Sequence, residues 1–276
     1  MIQRAIGVAR RQISKRLPPL RRKISFTHIP KCAGMSVAGA MAKTLWARTQ
    51  TTFPAVANFD AIQTSLNQPD IESFEKYWLR HREIALLSLL DQGYELVKGH
   101  LVFSQKAHEK HADEYAFVTT LREPVSRFVS NFLHNYQTHG GPHLTMRSKE
   151  RLDYVGTEQL MQFLETDEAV WQARAMLIPL AGPDQNGEFE IESALERAKE
   201  NLKHRFDVVG LVGELDRFRD SCKEKLGLSL KVGLKNKIRI NKGSSKSIVD
   251  DAARRKLEEL CGHEIELFEF AQTLQR

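Results

Sequence analysis

The chain has 276 residues, 41% of them hydrophobic, with a formal net charge of +6. That is enough for one large domain with a full core, and nothing in the order of residues resembles an internal repeat or an interdomain linker. No continuous apolar run is long enough for a signal peptide or a membrane span, and three cysteines, Cys32, Cys222 and Cys261, suit a reducing compartment better than a disulfide framework.

Charge is concentrated at the start. Residues 1–23 carry eight basic side chains and no acidic one, which leaves the rest of the chain near −2 and excludes a body built as a general trap for nucleic acid or other polyanions. Ile2, Ile6, Ala9, Ile13 and Leu17 fall near one helical face, so this basic segment suits peripheral contact with an anionic membrane; a loosely ordered tail ending at Pro18 and Pro19 is an equal reading. Residues 24–276 form the expected folded domain.

Residues 24–36 read as a short apolar strand broken at Pro30, a turn carrying Lys31, and the start of a helix. Turn amides and the first helical amides at Gly34, Met35 and Ser36 converge on one point, where the helix dipole and Lys31 add positive charge. Gly34 is expected to let the backbone approach a bulky anion, and the Ser36 hydroxyl to cap the helix or donate to a ligand oxygen. The lysine precedes the single glycine and no Ser or Thr directly follows it, which departs from the nucleotide P-loop and argues against a magnesium-dependent ATPase or kinase. Cys32, at a helix start, is either a thiol of lowered pKa or a small buried packing residue, with the second preferred.

Further strands are expected at 95–98, 115–121 and 207–212. Helices are expected at 35–47, 72–90, 124–136, 157–164, 190–204, 214–226, 250–261 and 263–274. This alternation predicts an α/β fold: a single domain with a central parallel sheet flanked by helices and a P-loop-like anion loop, without a Gly-x-Gly-x-x-Gly fingerprint. The strand ending at Leu121 runs through Arg122 into a helix with Pro124 in its first turn and an apolar stripe of Val125, Phe128, Val129 and Phe132 or Leu133. Arg127 and Ser130 share another face, and Arg122 with Ser130 is placed to hold a second phosphate.

Together the two segments resemble the 5′-phosphosulfate loop and 3′-phosphate site of sulfotransferases that use 3′-phosphoadenosine 5′-phosphosulfate (PAPS). The resemblance is closer to the carbohydrate branch, which includes the heparan sulfate 2-O-sulfotransferases and bacterial relatives. The family pattern His-Ile-Pro-Lys-Thr/Cys-Gly-Gly-Thr/Met-Ser matches His28 to Ser36, with Ala33 where a second glycine is frequent and Cys32 where threonine is. The pattern Leu-Arg-Asp/Glu-Pro-Val-x-Arg-Phe-x-Ser matches Leu121 to Ser130. Val97 to Phe103 is similar to the family's Gly-His segment, Trp171 to Leu177 to a segment near the acceptor, Phe206 to Glu214 to a strand and turn, and Glu264 to Ala271 to the last helix.

The resemblance implies sulfuryl transfer to a hydroxyl of a polysaccharide or glycolipid. His100 would be the general base and Lys31 would act at the bridging oxygen. Lys31, Cys32, Ala33, Gly34, Met35 and Ser36 would hold the phosphosulfate, and Arg122 and Ser130 the 3′-phosphate. Asn241, Lys242 and Ser244, within the basic stretch 235–246, would belong to a loop closing over the nucleotide. Gln172, Arg174 and His134 are the expected acceptor contacts. No metal is required in principle, and none is indicated: His108 and His111 are spaced i, i+3 rather than the i, i+4 of a metalloprotease, and read as solvated surface. His134, His139 and His143 surround Gly140 and Gly141 in a polar loop. Golgi members of the family are membrane-anchored, so the missing anchor points to a bacterial cytoplasmic enzyme or a shortened chain. The alternatives are an ATP-dependent kinase and a non-catalytic nucleotide-binding scaffold.

Overall fold

The computed structural model describes residues 20–53, 61–62, 64–66, 71–141, 154–184, 190–233 and 248–275. Its centre is a five-stranded, all-parallel sheet in the order β2-β3-β1-β4-β5, formed by β1 (Lys23–Thr27), β2 (Gln50–Phe53), β3 (Leu96–Gly99), β4 (Tyr115–Leu121) and β5 (Val208–Leu211). Such sheets are covered on both faces, and the sequence of β4 shows it: all seven residues are buried, with no polar alternation.

Successive side chains of β4 divide between two cores, as the pleat requires. Tyr115, Phe117 and Leu121 pack with Leu86 and Leu90 of α2 (Ile71–Asp91) and with Leu267 and Ala271 near the end of the chain. Ala116 and Val118 face the other way, onto Val37 and Met41 of α1 (Gly34–Thr44) and Phe218 and Cys222 further along. A third cluster joins Phe128 and Phe132 of α4 (Pro124–His139) to Leu160, Phe163 and Leu257. The remaining helices are α3 (Gln105–His111), α5 (Thr157–Phe163), α6 (Asp167–Ala173), α7 (Leu177–Ala181), α8 (Ile191–His204), α9 (Leu215–Leu226), α10 (Asp251–Leu260) and α11 (Gly262–Thr273).

The expected α/β architecture is therefore the observed one. Four elements were not expected: β2, α3, α6 and α7. The expected strand at 207–212 ends at Leu211, because Val212–Glu214 turns into a single 3₁₀ turn before α9. The sequence boundary at residue 23 also shifts. Lys23 opens β1 and pairs with Glu114 at 2.7 Å, while Arg22 is tied to the Asp207 carboxylate and to the Ala112 and Tyr115 carbonyls. Residues 1–19, the bulk of the basic segment, lie outside the described residues.

Topology positions the site. β1 lies between β3 and β4, and after β1 the chain crosses to the β2 side, whereas β4 continues the sheet on the other side. The loops leaving the carboxyl ends of β1 and β4 therefore face each other at a reversal of strand order, where open parallel sheets bind their ligands.

Candidate active site

The loop after β1 is a cradle of free amides. Among the described residues, the backbone N–H groups of Lys31, Ala33, Gly34 and Met35 have no hydrogen-bond partner, whereas those of Cys32 and Ser36 donate to Ile29 and Ala33 carbonyls. Unpartnered amides at a helix N-terminus are an anion site, and here Lys31 adds a full charge. Two of these residues hold left-handed backbone angles, Lys31 with φ 67 and Ala33 with φ 57, the only non-glycine positive-φ residues among those described. Such angles cost an L-residue free energy and make the amides converge, which gives a physical reason for glycine being frequent at position 33 in the resembling family.

Arg122, at the carboxyl end of β4, donates to the Lys31 carbonyl at 3.4 Å. Burial and this guanidinium lower the Lys31 ammonium to a pKa of about 8. Two cations are thus held together in a partly desolvated corner, an arrangement that a polyanion relieves.

Two expectations for this loop are corrected, Ser36 as the helix cap and Cys32 as an anion contact, while Cys32 as a buried packing residue holds and Gly34 gains a further reason. The helix cap is Ala33, with no side-chain cap bond, so Ser36 lies inside the first turn and does not cap. Cys32 turns into the core, fully buried, its amide spent on Ile29 and its carbonyl accepting from Thr120 Oγ1 at 2.7 Å; burial pushes its thiol up to about 12 and leaves it no face toward an anion. Gly34 is required by a neighbour in the fold: a Cβ there would stand 1.7 Å from Cδ2 of His28.

His28 and His100 form the second half of the site. The Thr27–Gly99 register of β1 and β3, with the His28 amide donating to the Gly99 carbonyl at 2.7 Å, sets the next residue of each strand side by side. Their rings lie 4.3 Å apart between centroids, tilted by 32°. Gly99 makes this possible with φ +143, and a Cβ on it would come within 2.3 Å of the Phe53 carbonyl oxygen in β2. Burial lowers His28 to a pKa of about 4, with Lys31 contributing. His100 is lowered well below the ordinary value by burial, His28 and Arg82. Both imidazoles are neutral at working pH, so each has a lone pair free to take a proton. His28 was read from sequence only as part of the loop motif; the signal was its place at the end of β1, one residue beyond the strand.

An apolar cleft opens beside the pair, lined by His28, His100, Pro30, Ile178, Trp78 of α2 and Trp171 of α6. The two indoles meet edge to face at 6.1 Å. The segment Trp171 to Leu177 thus reaches the site, but through Trp171 and Ala175. Gln172 is 3% exposed, its amide donating to the Phe128 carbonyl at 3.1 Å and accepting from Asn131 at 2.9 Å, so it fastens α6 to α4 and is withdrawn as an acceptor contact. Arg174 is half-buried at the end of α6. His134, half-buried on α4, lies in the field of Lys31, which with burial and His139 lowers it to about 4.

The second segment keeps Arg122 at the loop and Ser130 on α4, 9% exposed. Arg127 does not share a solvent face with Ser130. It is fully buried, paired with Glu264 of α11 at 3.0 Å and donating to the Gln172 carbonyl. Glu264 also accepts from the Met176 and Leu177 amides, so one buried ion pair joins α4, α6, α7 and α11 behind the cleft.

His111 and His108 are corrected too: His111 is buried against Asp91 at 2.8 Å, and His108 packs on Phe103 and Phe117. Among the described residues no cluster of metal-ligating side chains occurs. Asn241, Lys242, Ser244 and His143 lie outside the described residues.

A parallel α/β sheet whose central strand ends in free amides, paired cations and a neutral imidazole has the parts of a site that binds an anionic group beside a base. A model of the sulfotransferase family matches residues 20–271, and the chain belongs to that family. No curated protein matches the chain. Family membership makes sulfuryl transfer the reaction class and disfavours the kinase alternative.

Proposed function

We propose that the protein moves the sulfuryl group of PAPS to a hydroxyl of a carbohydrate acceptor, in a polysaccharide or glycolipid. The observation that carries this is the juxtaposition of four unpartnered loop amides and Lys31 with the neutral His28–His100 pair. PAPS supplies an activated sulfuryl group and leaves as 3′,5′-adenosine bisphosphate. The amides of Lys31, Ala33, Gly34 and Met35 hold the phosphosulfate end, and the Lys31 ammonium neutralises charge growing on the bridging oxygen as the sulfur–oxygen bond breaks. His100 takes the proton from the acceptor hydroxyl as its oxygen bonds to sulfur. Arg122 and Ser130 hold the 3′-phosphate, with Asn241, Lys242 and Ser244 covering the nucleotide.

Trp78 and Trp171 support the sugar assignment, because indole faces and edges suit the apolar C–H faces of a pyranose while leaving its hydroxyls to polar neighbours. His134 and Arg174 are the proposed further acceptor contacts. The basic residues ahead of β1 suit an anionic membrane surface where glycolipid acceptors are made. Among the described residues no helix is long and apolar enough to cross a membrane.

The test is incubation with sulfur-labelled PAPS in EDTA and a carbohydrate extract of the protein's own host. Label transferred to a glycan by wild type and not by His100→Ala supports the proposal. No label transfer from PAPS, with phosphoryl transfer from ATP in a parallel incubation containing magnesium, would replace it with a kinase.

A further inference from the structure

The anion cradle is held in shape from the neighbouring strand. Thr120, next to last in β4, is fully buried, and its hydroxyl donates to the Cys32 carbonyl at 2.7 Å, from 88 positions along the chain. Arg122, two residues on, donates to the preceding carbonyl of the loop, that of Lys31, at 3.4 Å. The end of β4 therefore grips two consecutive carbonyls of the cradle. Among the described residues every peptide is trans, and in a planar trans peptide the C=O and the following N–H point in opposite directions. The amide that follows the Lys31 carbonyl, that of Cys32, is spent on Ile29, whereas the amide that follows the Cys32 carbonyl is that of Ala33, one of the four without a partner. Drawing the Cys32 carbonyl toward β4 turns the Ala33 N–H away from β4 and into the open side of the loop.

This backbone needs an external hold. The left-handed angles of Lys31 and Ala33 bracket Cys32, and L-residues keep such angles only where their surroundings enforce them. Without the Thr120 hydroxyl, the Cys32 carbonyl would be a buried acceptor lacking a donor, and rotation of the Cys32–Ala33 peptide plane would relieve that loss and the Ala33 strain together. The same rotation takes the Ala33 N–H off the anion. The adjacent residue supplies the contrast: Thr119 is equally buried, but its hydroxyl donates to the Thr27 carbonyl at 3.1 Å, within the sheet and ahead of the loop. Two neighbouring threonines thus make the same kind of bond, one to the sheet and one to the cradle. We propose that Thr120 is a positioning residue that acts through the Cys32 carbonyl to aim the Ala33 amide at the bound phosphosulfate group. This rests on the proposed binding of phosphosulfate in the cradle.

The test titrates the full chain with 3′,5′-adenosine bisphosphate and, separately, with inorganic pyrophosphate, both in EDTA, by calorimetry, while NMR follows the Ala33 amide. Thr120→Val keeps the shape of the side chain and removes its donor, so it should weaken both ligands about tenfold. Thr120→Ser, which restores the hydroxyl, should stay within about threefold of wild type. Thr119→Val also loses a buried hydroxyl bond, and should bind both ligands as wild type does. The Ala33 amide proton should move downfield on saturation in wild type and Thr120→Ser, as it donates to the anion, and much less in Thr120→Val. Undiminished affinity in Thr120→Val, an equal loss in Thr119→Val, no rescue by Thr120→Ser, or a wild-type Ala33 amide that neither anion moves would overturn the proposal. Binding of pyrophosphate without binding of the bisphosphate would count against the donor instead, and the pyrophosphate series would then decide the role of Thr120.

Discussion

The imidazoles of His28 and His100 lie 4.3 Å apart at the ends of adjacent parallel strands, tilted by 32°, and burial keeps both in the neutral form, with one N–H and one free lone pair each, at neutral pH. Both rings line the cleft, and the Lys31 charge acts on His28. His100→Ala should lower kcat by roughly a hundredfold to ten-thousandfold while leaving affinity for 3′,5′-adenosine bisphosphate close to wild type. His28→Ala should lower kcat less and also loosen the loop, because the ring fills the space kept open by Gly34. Steady-state kinetics beside calorimetry separates the two; equal loss of bisphosphate binding in both variants would contradict the assignment.

Lys31 gives the site a pH signature. Its pKa of about 8 in the folded protein lies below the ordinary lysine value, so the charged form is the one the fold disfavours and an anion rescues. Between about pH 8 and the higher pKa of the liganded state, bisphosphate affinity should fall by up to about tenfold per pH unit as free enzyme loses the proton. The same depression makes the unfolded chain bind more protons over that range, so the unliganded protein gains stability from this group as pH rises through about 8. Bisphosphate affinity flat from pH 7 to 10 would exclude Lys31 from the anion site.

Ala33 tests the cost of shaping the cradle. With φ 57 it holds the left-handed conformation that glycine adopts freely. Relief of about 1–2 kcal/mol of strain, partly offset by greater freedom of the unfolded chain, predicts that Ala33→Gly gains roughly 0.5–1 kcal/mol and keeps anion binding. Ala33→Val should lose both stability and binding. Denaturant unfolding and bisphosphate calorimetry on the two variants check this.

Much of this was legible in the chain. The buried strand at Tyr115–Leu121 lacks polar alternation, and its bounds were read correctly from that alone. The Lys31 loop was read from a short local pattern, whereas the Gly99-His100 step was singled out by the family resemblance, since a lone histidine at a strand end reads as packing. What escaped depends on distant partners. Arg127 looked like part of a polar helix face because its spacing from Ser130 is local, whereas the residue that buries it, Glu264, is 137 positions away. β2 is four residues, Gln-Thr-Thr-Phe, at the sheet edge, too short and polar to show a period. α7 escaped because Pro179 falls inside its five residues. Arg82 sits in α2, where one more charge reads as solvated, and only the fold shows it buried between the rings of Phe53 and Trp78.

The Arg127–Glu264 pair supports the cleft from behind. Removing one partner leaves a buried charge or its protonated remnant, so Glu264→Ala should destabilise the protein by about 3–5 kcal/mol and free the Met176 and Leu177 amides that it now accepts from. Because Glu264 is raised by burial, Glu264→Gln should cost much less, keeping one acceptor for those amides. Urea unfolding of both variants measures the difference; equal losses would show that charge, not packing and hydrogen bonding, governs this contact.

The most direct measurement is calorimetric titration of wild type and of the Lys31→Ala, Arg122→Ala double variant with 3′,5′-adenosine bisphosphate in EDTA. Saturable one-to-one binding to wild type, weakened by at least about thirtyfold in the variant, is the predicted result. No binding to wild type, or undiminished binding to the variant, would contradict the assignment of this cradle to the sulfuryl donor.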